Sequence, residues 1–152
     1  MIKIGFTGTS RGTNDLQKAH LKHFLKGIIF SNPADPVEFH HGHCIGADDE
    51  MAAIAKEVGC VVIAHPGYPS KKPLDTTFRA ANTWYNDVTL PAKDFISRDH
   101  DIVNETHFLV AAPHGEKEVR RSGTWTTVRY ARKVGKQVTF CWPNRRMESD
   151  RL

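Results

Sequence analysis

The sequence predicts an α/β fold, a three-layer sandwich in which helices cover both faces of a mainly parallel sheet of about five strands. Short apolar runs alternate with longer amphipathic segments along the chain, and no internal repeat or low-complexity tract interrupts them. A strand, a helix and a second strand in succession favour a parallel pair joined by a right-handed crossover. In such sheets ligands bind beyond the carboxyl ends of the strands, where the strand order reverses.

Five apolar runs predict strands, and four periodic segments predict helices. The strands are 2–7, 37–42, 60–64, 107–112 and 137–142. The first helix begins at a cap provided by Asn14 or Asp15 and stops at 32–36, and the others are 47–58, 94–105 and 122–134. The stretch 66–93 holds four prolines, so we expect a lid or binding loop there, with a short helix at 78–82.

Length, composition and charge indicate a globular chain. Its 152 residues are 39% hydrophobic and 25% charged, which excludes fibrous, mostly disordered and membrane-spanning classes. The net charge of +4 is low for a dedicated nucleic-acid binder but compatible with a basic pocket for an anionic small molecule. We expect a single domain over 1–143 and a polar tail over 144–152.

The cysteines and the N-terminus indicate a cytoplasmic protein. Cys44, Cys60 and Cys141 are odd in number and widely spaced, which favours buried thiols in a reducing compartment over a disulfide framework. The first residues predict a strand and lack the basic and long apolar regions of a signal peptide.

Small and polar residues follow four of the predicted strands, and the fold would bring them to one edge of the sheet. Ser122-Gly123-Thr124 is a phosphate candidate, because the first-turn N–H groups of a helix are unpaired and its dipole is positive there. An ordinary N-cap is the alternative. Gly8-Thr9-Ser10 offers the same chemistry, and neither stretch matches the dinucleotide fingerprint or the Walker P-loop.

Two charged residues are candidates for chemistry in the cleft. Asp48 follows Gly46 and Ala47 at the start of the second helix. It either complements the helix dipole or binds a ribose hydroxyl and acts as an acid or base. Arg98 forms either a fork to phosphate or carboxylate or a surface salt bridge. Weaker anion-binding candidates, typical of solvated charges, are Arg11, Arg79, Arg120 and Arg121.

We expect no metal and no resident cofactor. His40 and His41 would point to opposite faces of a strand. No second Cys/His pair at finger-like spacing completes a tetrahedral site with His43 and Cys44.

Five segments together resemble the SLOG superfamily, nearest to its YspA-like branch, which is related to the DprA and lysine-decarboxylase-like (LOG) proteins. They are Gly5-Phe6-Thr7-Gly8-Thr9-Ser10, His41-Gly42-x-Cys44-x-Gly46-Ala47-Asp48, His65-Pro66, Arg98-x3-Ile102-Val103 and Ser122-Gly123-Thr124-Trp125-x2-Val128-Arg129-Tyr130-Ala131. The resemblance covers about residues 2–143. It implies a Rossmann-like domain that binds nucleotides or nucleotide-derived ligands, often as a homodimer or larger homo-oligomer.

The LOG relatives also imply an activity. Some are phosphoribohydrolases, which cleave the N-glycosidic bond of nucleoside monophosphates with a Glu three residues after a Gly-Thr pair. Here Gly123-Thr124 is kept, but Thr127 stands at the position of that Glu. The resemblance therefore implies phosphate binding and puts LOG-type hydrolysis in doubt.

The leading hypothesis is sensing or sequestration of a nucleotide or nucleotide-derived molecule, with its phosphate held by the Gly-Thr/Ser turns. The second is a nucleoside-phosphate N-glycosidic hydrolase with Asp48 as its carboxylate, or Glu116 or Glu118 as substitutes. The candidate ligand-binding residues are Gly8, Thr9, Ser10, Arg11, Gly42, Gly46, Ala47, Asp48, Pro66, Arg98, Ser122, Gly123 and Thr124, and Asp48 is also the candidate catalytic residue.

The third hypothesis is a single-stranded nucleic-acid binder, against which the mild charge argues. Trp84, Tyr85 and Trp125 can stack on bases, and core or lid packing is the alternative for each. No membrane partner is expected.

Overall fold

The computed structural model describes residues 1–150, so Arg151 and Leu152 of the predicted tail lie outside the described residues. The strands are β1 (Ile2–Gly8), β2 (Val37–His41), β3 (Val61–Ala64), β4 (Gly67–Tyr68), β5 (Val88–Thr89), β6 (Lys93–Asp94), β7 (Phe108–Ala112), β8 (Val138–Phe140) and β9 (Glu148–Ser149). The helices are α1 (Asp15–Ser31), α2 (Ala47–Val58), α3 (Phe95–Asn104) and α4 (Gly123–Lys133).

The main sheet has seven strands in the order β5-β3-β2-β1-β7-β8-β9. The five central strands are parallel and correspond to the five predicted from the sequence, which confirms the predicted fold class. The two further strands are short: β5 pairs parallel with β3, and β9 pairs antiparallel with β8 inside the predicted tail. The strand order reverses between β1 and β7, so this fold should bind ligands there.

Helices cover both faces of the sheet and close two hydrophobic cores. On one face α1 and α2 pack over β1 and β2, with Leu21, Leu25 and Met51 fully buried against Phe6 and Phe39. On the other face α3 and α4 bury a second set: Ile102, Val103, Trp125, Val128 and Ala131, with Leu109, Val138 and Phe140 of the sheet. Among residues 1–150, no helix combines the length and the apolar character needed to cross a bilayer.

The predicted short helix at 78–82 is wrong. The backbone of this stretch pairs instead with the loop after β2: Ile45 N–H donates to the Phe78 carbonyl, and Ala80 N–H donates to the His43 carbonyl. Cys44 and Arg79 form an isolated β-bridge between the two segments. Hydrogen bonds to a distant loop therefore replace those of a local helix, and no local sequence signal marks such pairing.

Helix α1 is anchored beside the carboxyl ends of β7 and β8. Asn14, one of the two predicted caps, accepts from the backbone of Gln17, and the Gln17 side chain accepts from the backbone of Asn14 in return. The buried Gln17 amide also donates to the carbonyls of Pro113 and Cys141. It therefore satisfies two carbonyls that follow the strands and fixes the loops that begin there.

Gly46 lets the loops after β1 and β2 pack against each other. Its φ is +84° and its ψ is −125°, a conformation open almost only to glycine. A Cβ at this position would overlap the backbone of Ser10 and Thr9. The next residue, Ala47, donates its N–H to the Thr9 carbonyl at 2.9 Å. The loops after β1 and β2 are thus in direct backbone contact.

We predict that Gly46→Ala destabilises the protein more than Gly59→Ala. Both glycines have positive φ, 84° and 108°, so each substitution adds strain of about 1–2 kcal/mol. At Gly59 no heavy atom lies within 4 Å of the added Cβ, whereas at Gly46 the added Cβ meets backbone. We expect an additional loss of at least about 1 kcal/mol at Gly46, measured by urea unfolding. Equal losses would contradict the packed loops.

Candidate functional site

A cavity of about 630 Å³ opens at the carboxyl ends of the central strands, where the strand order reverses. Its volume is in the range of small-molecule sites. Its wall combines the loops after β1, β2 and β7 with one side of α3 and the start of α4. The lining residues are Phe6, Thr7, Gly8, Thr9, Ser10, Arg11, Gly42, Cys44, Asp48, Phe78, Phe95, Arg98, Asp99, Ile102, His114, Val119, Arg121, Ser122, Gly123 and Thr124.

Ten of the thirteen candidate ligand-binding residues line this cavity: Gly8, Thr9, Ser10, Arg11, Gly42, Asp48, Arg98, Ser122, Gly123 and Thr124. Gly46, Ala47 and Pro66 are not among the lining residues. Gly46 and Ala47 instead hold the loop after β1, and the Pro66 carbonyl accepts from Lys93 N–H in the small β4–β6 sheet. These three residues support the site without lining it.

The start of α4 presents unpaired backbone donors to one end of the cavity. Ser122 is the N-cap, and its hydroxyl accepts from Trp125 N–H at 3.4 Å, so the ordinary capping role left open by the sequence is present. The N–H groups of Gly123 and Thr124 belong to the first turn and have no intrahelical acceptor. No heavy atom lies within 4 Å of a Cβ added at Gly123, so an anion can approach this backbone closely.

Two arginines add positive charge at the same cavity. Arg11 and Arg121 are both exposed lining residues, and neither forms an ion pair with a carboxylate of residues 1–150. Two other arginines do form ion pairs: Arg129 pairs with Glu118 at 3.0 Å, and Arg145 pairs with Glu116 at 2.7 Å. The cavity therefore combines unpaired guanidinium groups with a helix N-terminus, an arrangement that attracts anions.

Arg98 is buried beneath the cavity and joins three segments of the chain. Its Nη1 donates to the Gly42 carbonyl and, at 3.3 Å, to the His65 carbonyl, while its Nε donates to Asp99 at 2.7 Å. The surface salt bridge considered for Arg98 is therefore a buried one, with an adjacent carboxylate of the same helix. None of these bonds uses Nη2, and Arg98 is among the residues that line the cavity.

Asp48 has one bonded and one unpartnered carboxylate oxygen. Its Oδ2 accepts from Cys44 N–H at 3.3 Å, while the buried Oδ1 has no hydrogen-bond partner within residues 1–150. Burial raises the pKa of Asp48 to about 7, with Arg98 opposing the rise. A Cβ at Gly42 would lie 2.7 Å from Arg98 Nη1 and 2.9 Å from Asp48 Oδ2, so any larger residue there would have to displace one of these two side chains.

Asp99 is a second carboxylate in the cavity wall that the sequence predictions missed. Burial raises its pKa, while Arg98 and Thr127 oppose that rise. Asp99 therefore lies beside the residue that stands at the position of the LOG glutamate. The position of Asp99 directly after the candidate residue Arg98 was the one sequence signal that could have pointed to it. Whether its side chain faces the cavity depends on how α3 packs.

Other candidate groups lie elsewhere or are unreactive. Glu116 and Glu118, the substitute carboxylates, are held in ion pairs and are not among the lining residues. Tyr85 and Trp125 are buried in the core, and Trp84 is exposed outside the cavity. Burial raises the pKa of Cys44 to about 11, so this thiol is protonated at neutral pH and is a poor nucleophile.

Comparison with known proteins confirms the fold. No family model matches the chain, and no curated protein matches it. The structure is similar to that of TM1055, a structural genomics target, with a TM-score of 0.58 and 15% identity over 91% of this chain and 72% of that one. It is also similar to the Moco carrier protein from Chlamydomonas reinhardtii, with a TM-score of 0.57 and 22% identity over 91% and 75% of the two chains.

A third similar structure is the DNA processing protein A (DprA) from Streptococcus pneumoniae, with a TM-score of 0.59 and 14% identity. The match covers 92% of this chain and 50% of that chain, so this chain spans about half the length of DprA. All three share the Rossmann-like fold of this chain. At these identities the likeness concerns the fold.

We predict that the stability of the protein depends on the protonation of Asp48. Because burial raises the pKa of Asp48 to about 7, the folded state binds an extra proton between about pH 4 and 7, and stability falls as the pH rises through this window. Asn does not titrate. The unfolding free energy of the wild type, measured relative to that of Asp48→Asn, should therefore fall by at least about 1.4 kcal/mol between about pH 4 and 7. This amount corresponds to a pKa difference of one unit between the folded and unfolded states.

The control is Asp75→Asn. The Thr77 hydroxyl and N–H hold the pKa of Asp75 below its usual range. The difference in unfolding free energy between Asp75→Asn and the wild type should therefore stay nearly constant over the same pH window. If the difference in unfolding free energy between the wild type and Asp48→Asn is also independent of pH, Asp48 is ionised in the folded protein throughout this window.

Proposed function

We propose that this chain binds a nucleotide or nucleotide-derived small molecule, for sensing or sequestration, with the phosphate at the start of α4. The observation that carries the proposal is the cavity of about 630 Å³, which is lined by the start of α4 at Gly123 and Thr124 and also by Arg11 and Arg121. The loop at Gly8-Thr9-Ser10 adds the hydroxyl groups of Thr9 and Ser10 to the cavity wall. The apolar wall at Phe78 and Phe95 suits the face of a base.

The similar structures support a ligand-binding role for the fold. One of them is, by its name, a carrier of Moco, and another processes DNA. Single-stranded nucleic acid is the less favoured ligand here, because Tyr85 and Trp125 are buried and cannot stack on bases. Assembly as a homodimer or larger homo-oligomer, which the resemblance implies, belongs to the same proposal.

Incubation with mononucleotides, dinucleotides, cyclic nucleotides and a short oligonucleotide, followed by ultrafiltration and mass spectrometry, identifies the ligand class. We predict that an intact nucleotide is retained and that Gly123→Asp lowers its affinity at least about tenfold, because a carboxylate then faces the phosphate. Titration calorimetry measures the change. Thr126→Asp adds the same charge at an exposed position of α4 and should have a smaller effect. If the affinity of Gly123→Asp is unchanged, the phosphate does not bind at the start of α4.

The two carboxylates of the cavity wall, Asp48 and Asp99, favour a second candidate function, cleavage of a nucleoside-phosphate N-glycosidic bond. Such a reaction needs one carboxylate to stabilise an oxocarbenium-like centre or to activate water. Asp48, with its pKa of about 7, can carry a proton at neutral pH. Asp99 lies beside Thr127 and offers a carboxylate where the resemblance leaves none.

For this second function we predict that free base accumulates with the wild type and that Asp48→Asn and Asp99→Asn each slow its release about 100-fold or more. Asp101→Asn is the control, since Asp101 lies on the same helix, pairs with Lys93 and is not among the lining residues. Release of base is followed by chromatography on nucleoside monophosphates. Retention of intact nucleotide with no free base would leave binding as the function.

A further inference from the structure

Two buried histidines meet on the face of the sheet covered by α3, outside the cavity described above. Nδ1 of His40, on β2, lies 2.8 Å from Nε2 of His65, which follows β3. Both rings are 4% exposed. The neighbouring His41 contacts Asn86 and Tyr85 instead, as expected for adjacent residues of a strand.

Glu38 orients the first of these rings. Its Oε1 lies 2.8 Å from Nε2 of His40, two residues further along the same face of β2. A carboxylate at this distance holds the proton on Nε2 and leaves the lone pair of Nδ1 directed at His65. A carboxylate–histidine pair of this kind commonly orients a histidine that ligates a metal.

Glu105 completes a set of three ligand atoms. Its Oε2 lies 3.7 Å from Nε2 of His65, and the His40, His65 and Glu105 ligand atoms all lie within 4.8 Å of one another. In a tetrahedral zinc site with ligands at about 2.0–2.1 Å, neighbouring ligand atoms are about 3.3–3.4 Å apart. The His40–His65 gap must therefore open by about 0.5 Å, and the His65–Glu105 gap must close by about 0.3 Å.

We propose that His40, His65 and Glu105 form a binding site for a divalent transition metal ion, with zinc as the ion that this donor set favours. Two imidazoles and one carboxylate leave the fourth position open to water or another ligand. Glu105 is 50% exposed, so solvent reaches the site from that side. The ion replaces the hydrogen bond between the two rings, and His65 then carries its proton on Nδ1.

The surrounding charges suit a cation. Glu38 and Glu105 contribute two carboxylates, and Asp101 lies near His65 as a third, where Lys93 balances it. Arg98 is the other nearby cation, and it is bonded to the His65 carbonyl. The three ligands are far apart in the sequence, 25 residues in the case of the two histidines, so no motif marks them.

Bound metal would connect β2, the end of β3 and the end of α3. Helix α3 also carries Arg98 and Asp99, which line the cavity. The site therefore lies where an ion can fix the helix that positions these two residues, independently of which ligand the cavity takes.

The test is titration of the metal-free protein with Zn²⁺ alone, followed by Co²⁺ substitution and absorption spectroscopy. We expect one ion per chain with a Kd of about 10 µM or tighter, and intense Co²⁺ bands typical of tetrahedral coordination. Glu105→Gln should weaken binding at least about tenfold, and His65→Gln should weaken it further. Because Glu105 is half-exposed, we expect Glu105→Gln to fold, so this variant tests the metal site even if His65→Gln does not fold.

Two control variants complete the experiment. His23→Gln removes an exposed histidine of α1 and should leave Zn²⁺ affinity unchanged, and so should Cys44→Ser. Unchanged affinity in Glu105→Gln, loss of binding in Cys44→Ser, or no binding at about 100 µM Zn²⁺ would each overturn the proposal. None of these readouts depends on nucleotide binding.

Discussion

The buried guanidinium of Arg98 is the interaction on which the candidate site depends. It joins α3 to the carbonyls that follow β2 and β3, and so fixes the part of the sheet edge where the cavity opens. A buried charge is costly to desolvate, and its hydrogen bonds offset that cost with little net gain in stability. The value of this interaction lies in position: it holds Gly42 on one side and Asp99 on the other at fixed places in the wall.

The fold could be predicted because its strands are apolar runs separated by clear helix signals. Runs such as 60–64 and 107–112 are apolar enough to predict strands of the core, and Asn14 and Gly59 mark helix ends by chemistry that acts locally. The strands β5 and β9 have two residues each and no periodicity. Their pairing depends on neighbours distant in the chain, and a sequence pattern does not show it.

The candidate site also has a part that could be predicted from the sequence and a part that could not. Gly8, Ser10, Gly123 and Thr124 were predictable because a parallel sheet brings the ends of its strands together. Phe78 was not, since its approach to the cavity depends on how the irregular stretch 66–93 pairs with the loop after β2. Asp99 and Phe95 were not either, because their approach depends on how α3 packs. The same limit applies to His65 and Glu105: the pairing of β2 with β3 brings His65 near His40, and the packing of α3 brings Glu105 there.

The short strands at the two edges of the sheet affect how copies of this chain can associate. An exposed edge strand offers a row of unpaired backbone groups that can recruit a strand from another molecule. Here β9 covers β8, and the ion pair between Arg132 and Asp150, at 2.7 Å, holds the segment that contains it. The outermost strands have two residues each, so the sheet presents little template for edge-to-edge aggregation, and an ordered assembly would have to form through the helical faces.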